Sequence, residues 1–220
     1  MRDFLETGHL GPLSPDADLL EVAELLGPPD IWLTRNMDRY PLFWIYSPKG
    51  RKQNAPRLEI SFELDAPHKV DMLQLIALFN LEKKVFGFGK SVRVSADGLS
   101  AMTPSRFLKK GYWASDDTTL YISNQNLELV MTHGRMTLHF VVSDQHLDHS
   151  DESVRRKIID QFGEAPEFRQ IDKLYRVYRV TSQHVETPFY QGEIFEKYCD
   201  GRQYLESMKN EPDLQPANRL

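Results

Sequence analysis

The densest set of metal-ligating side-chain types in the chain is Asp144-Gln145-His146-Leu147-Asp148-His149. Alternate residues of an extended segment project to the same side, which brings Asp144, His146 and Asp148 together. With His149 beside them, these oxygen and imidazole donors suit divalent zinc or iron. A metal-dependent hydrolase is the enzymatic reading of that cluster. An ordinary polar loop ahead of a helix has the same composition and is the weightier reading, so no metal or other cofactor is expected.

The remaining reactive residue types carry less. His133 and His139 flank a hairpin turn and read as partly buried, hydrogen-bonded histidines. His68 and His184 read as surface residues. The single Cys199 excludes an intramolecular disulfide and a cysteine-rich zinc site. Nothing around it marks a nucleophile, and its expected place is a buried position on a C-terminal helix. There is no Gly-x-Ser-x-Gly elbow and no Gly-x-x-x-x-Gly-Lys run. Val85-Phe86-Gly87-Phe88-Gly89 lacks the helix start that a phosphate loop needs directly behind it, and reads as a strand end or bulge. Arg176 and Arg179 alternate with Tyr175 and Tyr178, a pattern that can bind single-stranded nucleic acid. A strand with one solvated face gives the same pattern and is preferred.

These residues are set among elements that read more clearly. Residues 14–30, Ser-Pro-Asp-Ala-Asp-Leu-Leu-Glu-Val-Ala-Glu-Leu-Leu-Gly-Pro-Pro-Asp, carry the signals of a capped helix over about 16–26. Ser14 or Asp16 is the expected cap and Pro15 suits the first turn. Leu19, Val22, Ala23 and Leu26 share one face, and Gly27-Pro28-Pro29 ends the helix. An extended segment begins at Ile31-Trp32-Leu33. Residues 41–46 read as a strand. Leu58, Ile60, Phe62 and Leu64 alternate with Glu59, Ser61 and Glu63 in a second strand with one buried face. Residues 70–79 are apolar enough for a central strand, with a helix as the alternative. Residues 103–111 form a short helix capped by Thr103 and stopped by Gly111. Residues 118–122, 126–132 and 135–142 read as three strands, the last two joined by His133-Gly134 in a hairpin. Residues 151–162 and 193–208 read as further helices, with Gly201 able to split the second.

The whole is an α+β protein in which antiparallel strands dominate and helices pack on the sheet faces. One domain over 1–220 is the simplest division. Two similar helix-plus-sheet modules, 1–80 and 81–220, are the alternative, because the Gly–Pro endings at 27–29 and 163–166 echo one another. Thirty-two acidic against twenty-seven basic residues give a net charge of −5. That balance disfavours nucleic acid and favours a basic protein partner. No run approaches the roughly 20 apolar residues of a membrane helix, and the start of the chain lacks an apolar signal core. A cytoplasmic protein with no membrane partner is expected.

Residues 10–13, 21–30 and 58–62 (Leu-Gly-Pro-Leu, Glu-Val-Ala-Glu-Leu-Leu-Gly-Pro-Pro-Asp and Leu-Glu-Ile-Ser-Phe) resemble a group of small uncharacterised bacterial proteins. In that group a helix ending Leu-Gly-Pro-Pro precedes an aromatic strand and a Leu-Glu-x-x-Phe segment. Some of them are similar to immunity proteins that neutralise polymorphic toxins. The resemblance covers about the first 80 residues and implies no catalytic residues. It implies a cytosolic protein that covers the active site of a cognate, basic toxin domain. A regulatory binding module is a third possibility beside the immunity and hydrolase readings. On the immunity reading the candidate partner-binding residues are Glu59 and Glu63 on the polar face of their strand, and Asp116, Asp117, Asp144 and Asp148 on loops. Trp113, beside the Asp116-Asp117 turn, is the candidate anchor, with a place in the core as its alternative.

Overall fold

The computed structural model describes residues 1–34, 42–48, 56–78, 85–95, 98–123, 128–142, 168–183 and 195–209. In chain order the elements are α1 (Arg2–Thr7), α2 (Leu19–Leu26), β1 (Ile31–Leu33), β2 (Phe43–Tyr46), β3 (Arg57–Phe62), β4 (Val70–Ile76), β5 (Val85–Phe88) and β6 (Val92–Ser95). They continue with α3 (Pro104–Lys110), β7 (Thr119–Ser123), β8 (Glu128–His133), β9 (Met136–Val142), α4 (Phe168–Leu174), β10 (Tyr175–Gln183), β11 (Phe195–Asp200) and α5 (Gly201–Ser207).

Nine strands form one sheet in the order β1-β2-β3-β4-β10-β9-β8-β7-β11, and β5-β6 is a separate hairpin. Every pair in the large sheet is antiparallel. The protein is thus α+β and dominated by its sheet. From one edge the order runs inward through β1 to β4. From the other it runs inward through β7 to β10, with β11 added outside β7. The sheet crosses the 80/81 boundary where β4 meets β10.

The helix read over 16–26 begins later, at Leu19. Asp18, not Ser14 or Asp16, caps it: Asp18 Oδ1 accepts from Leu20 N and Glu21 N at 2.9 Å, and Glu21 Oε2 accepts from Asp18 N. This reciprocal box satisfies more free amides than a cap at Ser14 would. The residues before it turn instead, and Ala17 O accepts from Val70 N at the start of β4. Val22 and Leu26 are buried, as the helical spacing requires.

The apolar stretch at 70–76 is a strand, β4. Residues 193–208 are not one helix. Phe195–Asp200 pairs with β7, and the helix starts only at Gly201, capped by Asp200 with Gln203. Gly201 is needed where it stands, because a Cβ there would come within 2.7 Å of the Ser115 carbonyl. Cys199 is therefore on a strand, buried, rather than on a helix. The short helix at 103–111 is α3, with Thr103 as cap and Gly111 at φ +66°. The expected helix at 151–162, and with it the second half of the internal echo, lies outside the described residues.

One sheet face carries the main core. Trp44, Tyr46, Leu58, Ile60, Leu73, Leu75, Val177, Val180, Leu138, Phe140, Leu129, Met131 and Leu120 join side chains of the helices and of β5-β6 in it. A bulge in β10 keeps that face continuous. Val177 is level with Phe140 and Val180 with Leu138, so Tyr178 is the extra residue. Without the bulge Val177 and Arg179 would share a face; with it Val180 takes that place and Arg179 turns to the other side.

Trp113 belongs to this core. It is 2% exposed, donates from Nε1 to Leu5 O at 2.7 Å, meets Phe107 edge-on and stacks on His133. It ties α1, α3 and β8 together. The expectation of an interface anchor is corrected here: the indole is enclosed by its own chain. Trp113→Phe keeps most of the apolar contact but strands a buried carbonyl. Unfolding in urea should show a loss of about 1–3 kcal/mol.

Candidate functional site

The second face of the sheet carries polar residues that strand pairing brings into line. Glu59 is level with Gln74, Gln74 with Thr181, and Thr181 with Thr137. All four are buried. Gln74 Nε2 donates to Glu59 Oε2 at 2.8 Å, and Thr181 Oγ1 donates to Gln74 Oε1 at 3.4 Å. Arg57 Nη2 lies 3.6 Å from Glu59 Oε1.

One register step away, the buried Glu128 and His139 meet the partly buried Arg179 in a polar cluster. Glu128 Oε1 and His139 Nδ1 are hydrogen-bonded. Arg179 Nη2 lies 2.9 Å from the same Nδ1 and 3.5 Å from Glu128 Oε1. Nδ1 cannot both donate to the carboxylate and accept from the guanidinium. A buried carboxylate needs donors more than an imidazole needs an acceptor, so the network assigns the proton to Nδ1, pointing at Glu128. Burial holds His139 below the ordinary histidine value, Arg179 lowers it further and Glu128 opposes both. The ring is neutral at pH 7. The β10 bulge is what places Arg179 in this cluster.

A third polar node lies on the helical side. Asp172 on α4 accepts from Ser105 N at 2.6 Å and from Ser105 Oγ at 2.7 Å at the start of α3. Tyr204 on α5 reaches the same carboxylate at 3.4 Å. These bonds join three helices and satisfy one amide of the first turn of α3.

The surface offers a different feature. Among the described residues, the exposed large apolar side chains are Leu20, Leu64, Val85 and the consecutive Ile31, Trp32 and Leu33 of β1, at 50%, 58% and 50%. β1 pairs with β2 on one side and ends the sheet. An edge strand presents an outer row of backbone donors and acceptors that a further strand can use. Asp30, exposed and next to the strand, accepts from Ser47 N at 2.6 Å. Glu24, also exposed, lies on the helix just before it.

The residues singled out from the sequence do not come together as one surface. Glu59 is 7% exposed and bonded within the sheet, which corrects its expected place on a solvated face: alternation identified the second face, but that face is buried too. Glu63 is half-buried just past β3. Asp116 is exposed and receives both Arg202 Nε and Nη2. The bonds from Arg202 hold it below the usual carboxylate range. Asp117 is exposed, and its carbonyl accepts from His133 Nδ1. Asp144, His146, Asp148 and His149 lie outside the described residues. Among the described residues no cluster of histidine, cysteine and carboxylate side chains is arranged to hold a metal, and no helix is long and apolar enough to cross a membrane.

Sequence reasoning recognised Ile31-Trp32-Leu33 as extended but assigned it no role. Its signal was the run of three large apolar residues without alternation, which puts apolar side chains on both faces of one short strand.

Among the described residues, the fold and this surface define an α+β protein whose nine-stranded antiparallel sheet ends at the apolar strand β1. The chain matches no family model, and no curated protein or solved structure shows significant similarity to it.

Proposed function

We propose that this is a cytoplasmic partner-binding protein of the immunity type, which neutralises a basic toxin domain by covering its active site. One observation carries the reading: the exposed Ile31-Trp32-Leu33 run on the open edge of the sheet. Three adjacent half-exposed apolar residues on the last described strand of a sheet are costly to leave in water and prone to unwanted pairing. A dedicated partner resolves both problems. The net charge of −5 draws a basic domain toward the surface and speeds its encounter. Inhibition of this kind requires coverage and no reactive group.

The reading expects a toxic domain to be encoded beside the gene, and co-expression with that domain tests the proposal. Growth should be restored by the wild-type chain. Continued killing at equal or higher levels of folded protein would overturn the reading.

The Asp116-Asp117 turn, which leads into β7 near the other end of the strand order from β1, is a candidate for a separate contact with the partner. Asp116→Asn with Asp117→Asn removes two exposed charges, one of them paired on the surface with Arg202. The fold should survive, since exposed pairs contribute little. Association should slow, and less so as salt is added. Equal association rates at low salt for a folded double variant would exclude the turn from the interface.

A further inference from the structure

We infer that the partner contributes an extended, basic strand that adds to β1 and prolongs the sheet, with Trp32 as its anchor. This rests on the partner-binding reading and names the site and the chemistry of its occupant. The backbone fixes the shape of the occupant. An edge strand is completed by an extended chain whose amides and carbonyls match its outer row, whereas a helix presents no free row to it. The side chains fix its polarity. Ile31 and Leu33 project to one face of β1 and Trp32 to the other, and all three are half-exposed. The added strand therefore needs apolar residues on both faces where it lies against 31–33, with its basic residues beyond that stretch.

Charge selects between candidate occupants. Asp30 adjoins the strand and Glu24 lies on the helix before it, both exposed, on a chain of net charge −5. A second copy would bring −5 against −5. A basic strand meets complementary charge. Trp32 is the residue of the run with the most area to bury, and buried Trp is a common anchor of such interfaces.

The test uses the full chain and the purified toxic domain encoded beside its gene. In the complex, backbone amides of 31–33 should exchange with deuterium more slowly than in the free chain. Trp32→Ala should weaken binding at least about thirtyfold, the loss expected for an anchor, with the melting temperature unchanged. Asp30→Asn keeps an oxygen that accepts from Ser47 N–H while losing the charge. It should weaken binding several-fold at low salt and little at high salt. Binding with unaltered exchange at 31–33 and full affinity in Trp32→Ala would overturn the edge site while leaving the partner reading intact. No binding by the wild-type chain would overturn both. Concentration-dependent self-association that protects 31–33 in the chain alone would assign the edge to a second copy and overturn the basic partner strand.

Discussion

Gly89→Ala should unfold the protein or lower its stability by more than about 3 kcal/mol. Gly89 follows β5 at φ +53°, and a Cβ there would lie 2.2 Å from Leu26 O and 2.6 Å from Leu26 Cα. Those are backbone atoms at the end of α2, and the next residue's amide donates to the same carbonyl, Lys90 N to Leu26 O at 3.2 Å. Neither side can yield without breaking the junction of α2 with the β5-β6 hairpin. A left-handed conformation alone costs an alanine on the order of 1 kcal/mol, and the overlap adds the larger part. Gly98→Ala separates the two contributions. Gly98 has φ +75°, and among the described residues none beyond its chain neighbours comes within 4 Å of the Cβ position, so it should lose only about 1 kcal/mol. Urea midpoints of the two variants decide the matter, and equal losses would refute the close approach.

Glu128→Ala should cost about 3–5 kcal/mol, because it removes the carboxylate that the buried His139 ring and the Arg179 guanidinium both face. Replacing all three members together, Glu128→Leu, His139→Leu and Arg179→Met, should recover most of that loss, since an apolar group of similar size incurs no charge desolvation. The cluster also sets a pH dependence. His139 has a folded pKa below its unfolded value. Above the unfolded value of about 6.5 both states are neutral, and this histidine contributes no slope. Below it the unfolded chain takes a proton that the folded chain refuses, so stability falls as pH falls. His139→Leu in the Arg179→Met, Glu128→Leu background should lack that part of the slope. An unchanged slope between pH 6.5 and 5 would show that His139 is not held neutral by the fold.

Local pattern made the sheet legible. Alternation at 58–64, 127–131 and 136–140, and the turn at His133-Gly134, marked β3, β8 and β9 because each strand exposes its own period of two. The same alternation misplaced Glu59. Period two separates two faces but does not say that one of them is wet, and in β3 both are covered. Trp113 shows a related limit: its environment comes from Leu5, Phe107 and His133, and only the fold brings these together. Residues 195–200 read as part of a helix because Ile194, Tyr198, Tyr204, Leu205 and Met208 supply an apolar face, though an irregular one. Pairing with β7, a long-range choice, made them a strand. The charge cluster was only partly visible, as a buried, hydrogen-bonded His139. Arg179 joins it through a one-residue bulge, and nothing in the spacing of Tyr175, Val177 and Arg179 announces an extra residue at Tyr178. The edge of a sheet is likewise a property of strand order, so Ile31-Trp32-Leu33 gave no sign of its position.

The chain is proposed to neutralise a protein partner by binding it. The most direct measurement is titration of the toxic domain's own activity with the purified chain, the domain being held well above the dissociation constant. Activity should fall linearly to zero at a fixed stoichiometric ratio, and should be retained at that ratio with the Trp32→Ala chain when both are diluted to near the wild-type dissociation constant. Undiminished activity in excess of the folded wild-type chain would contradict the proposal.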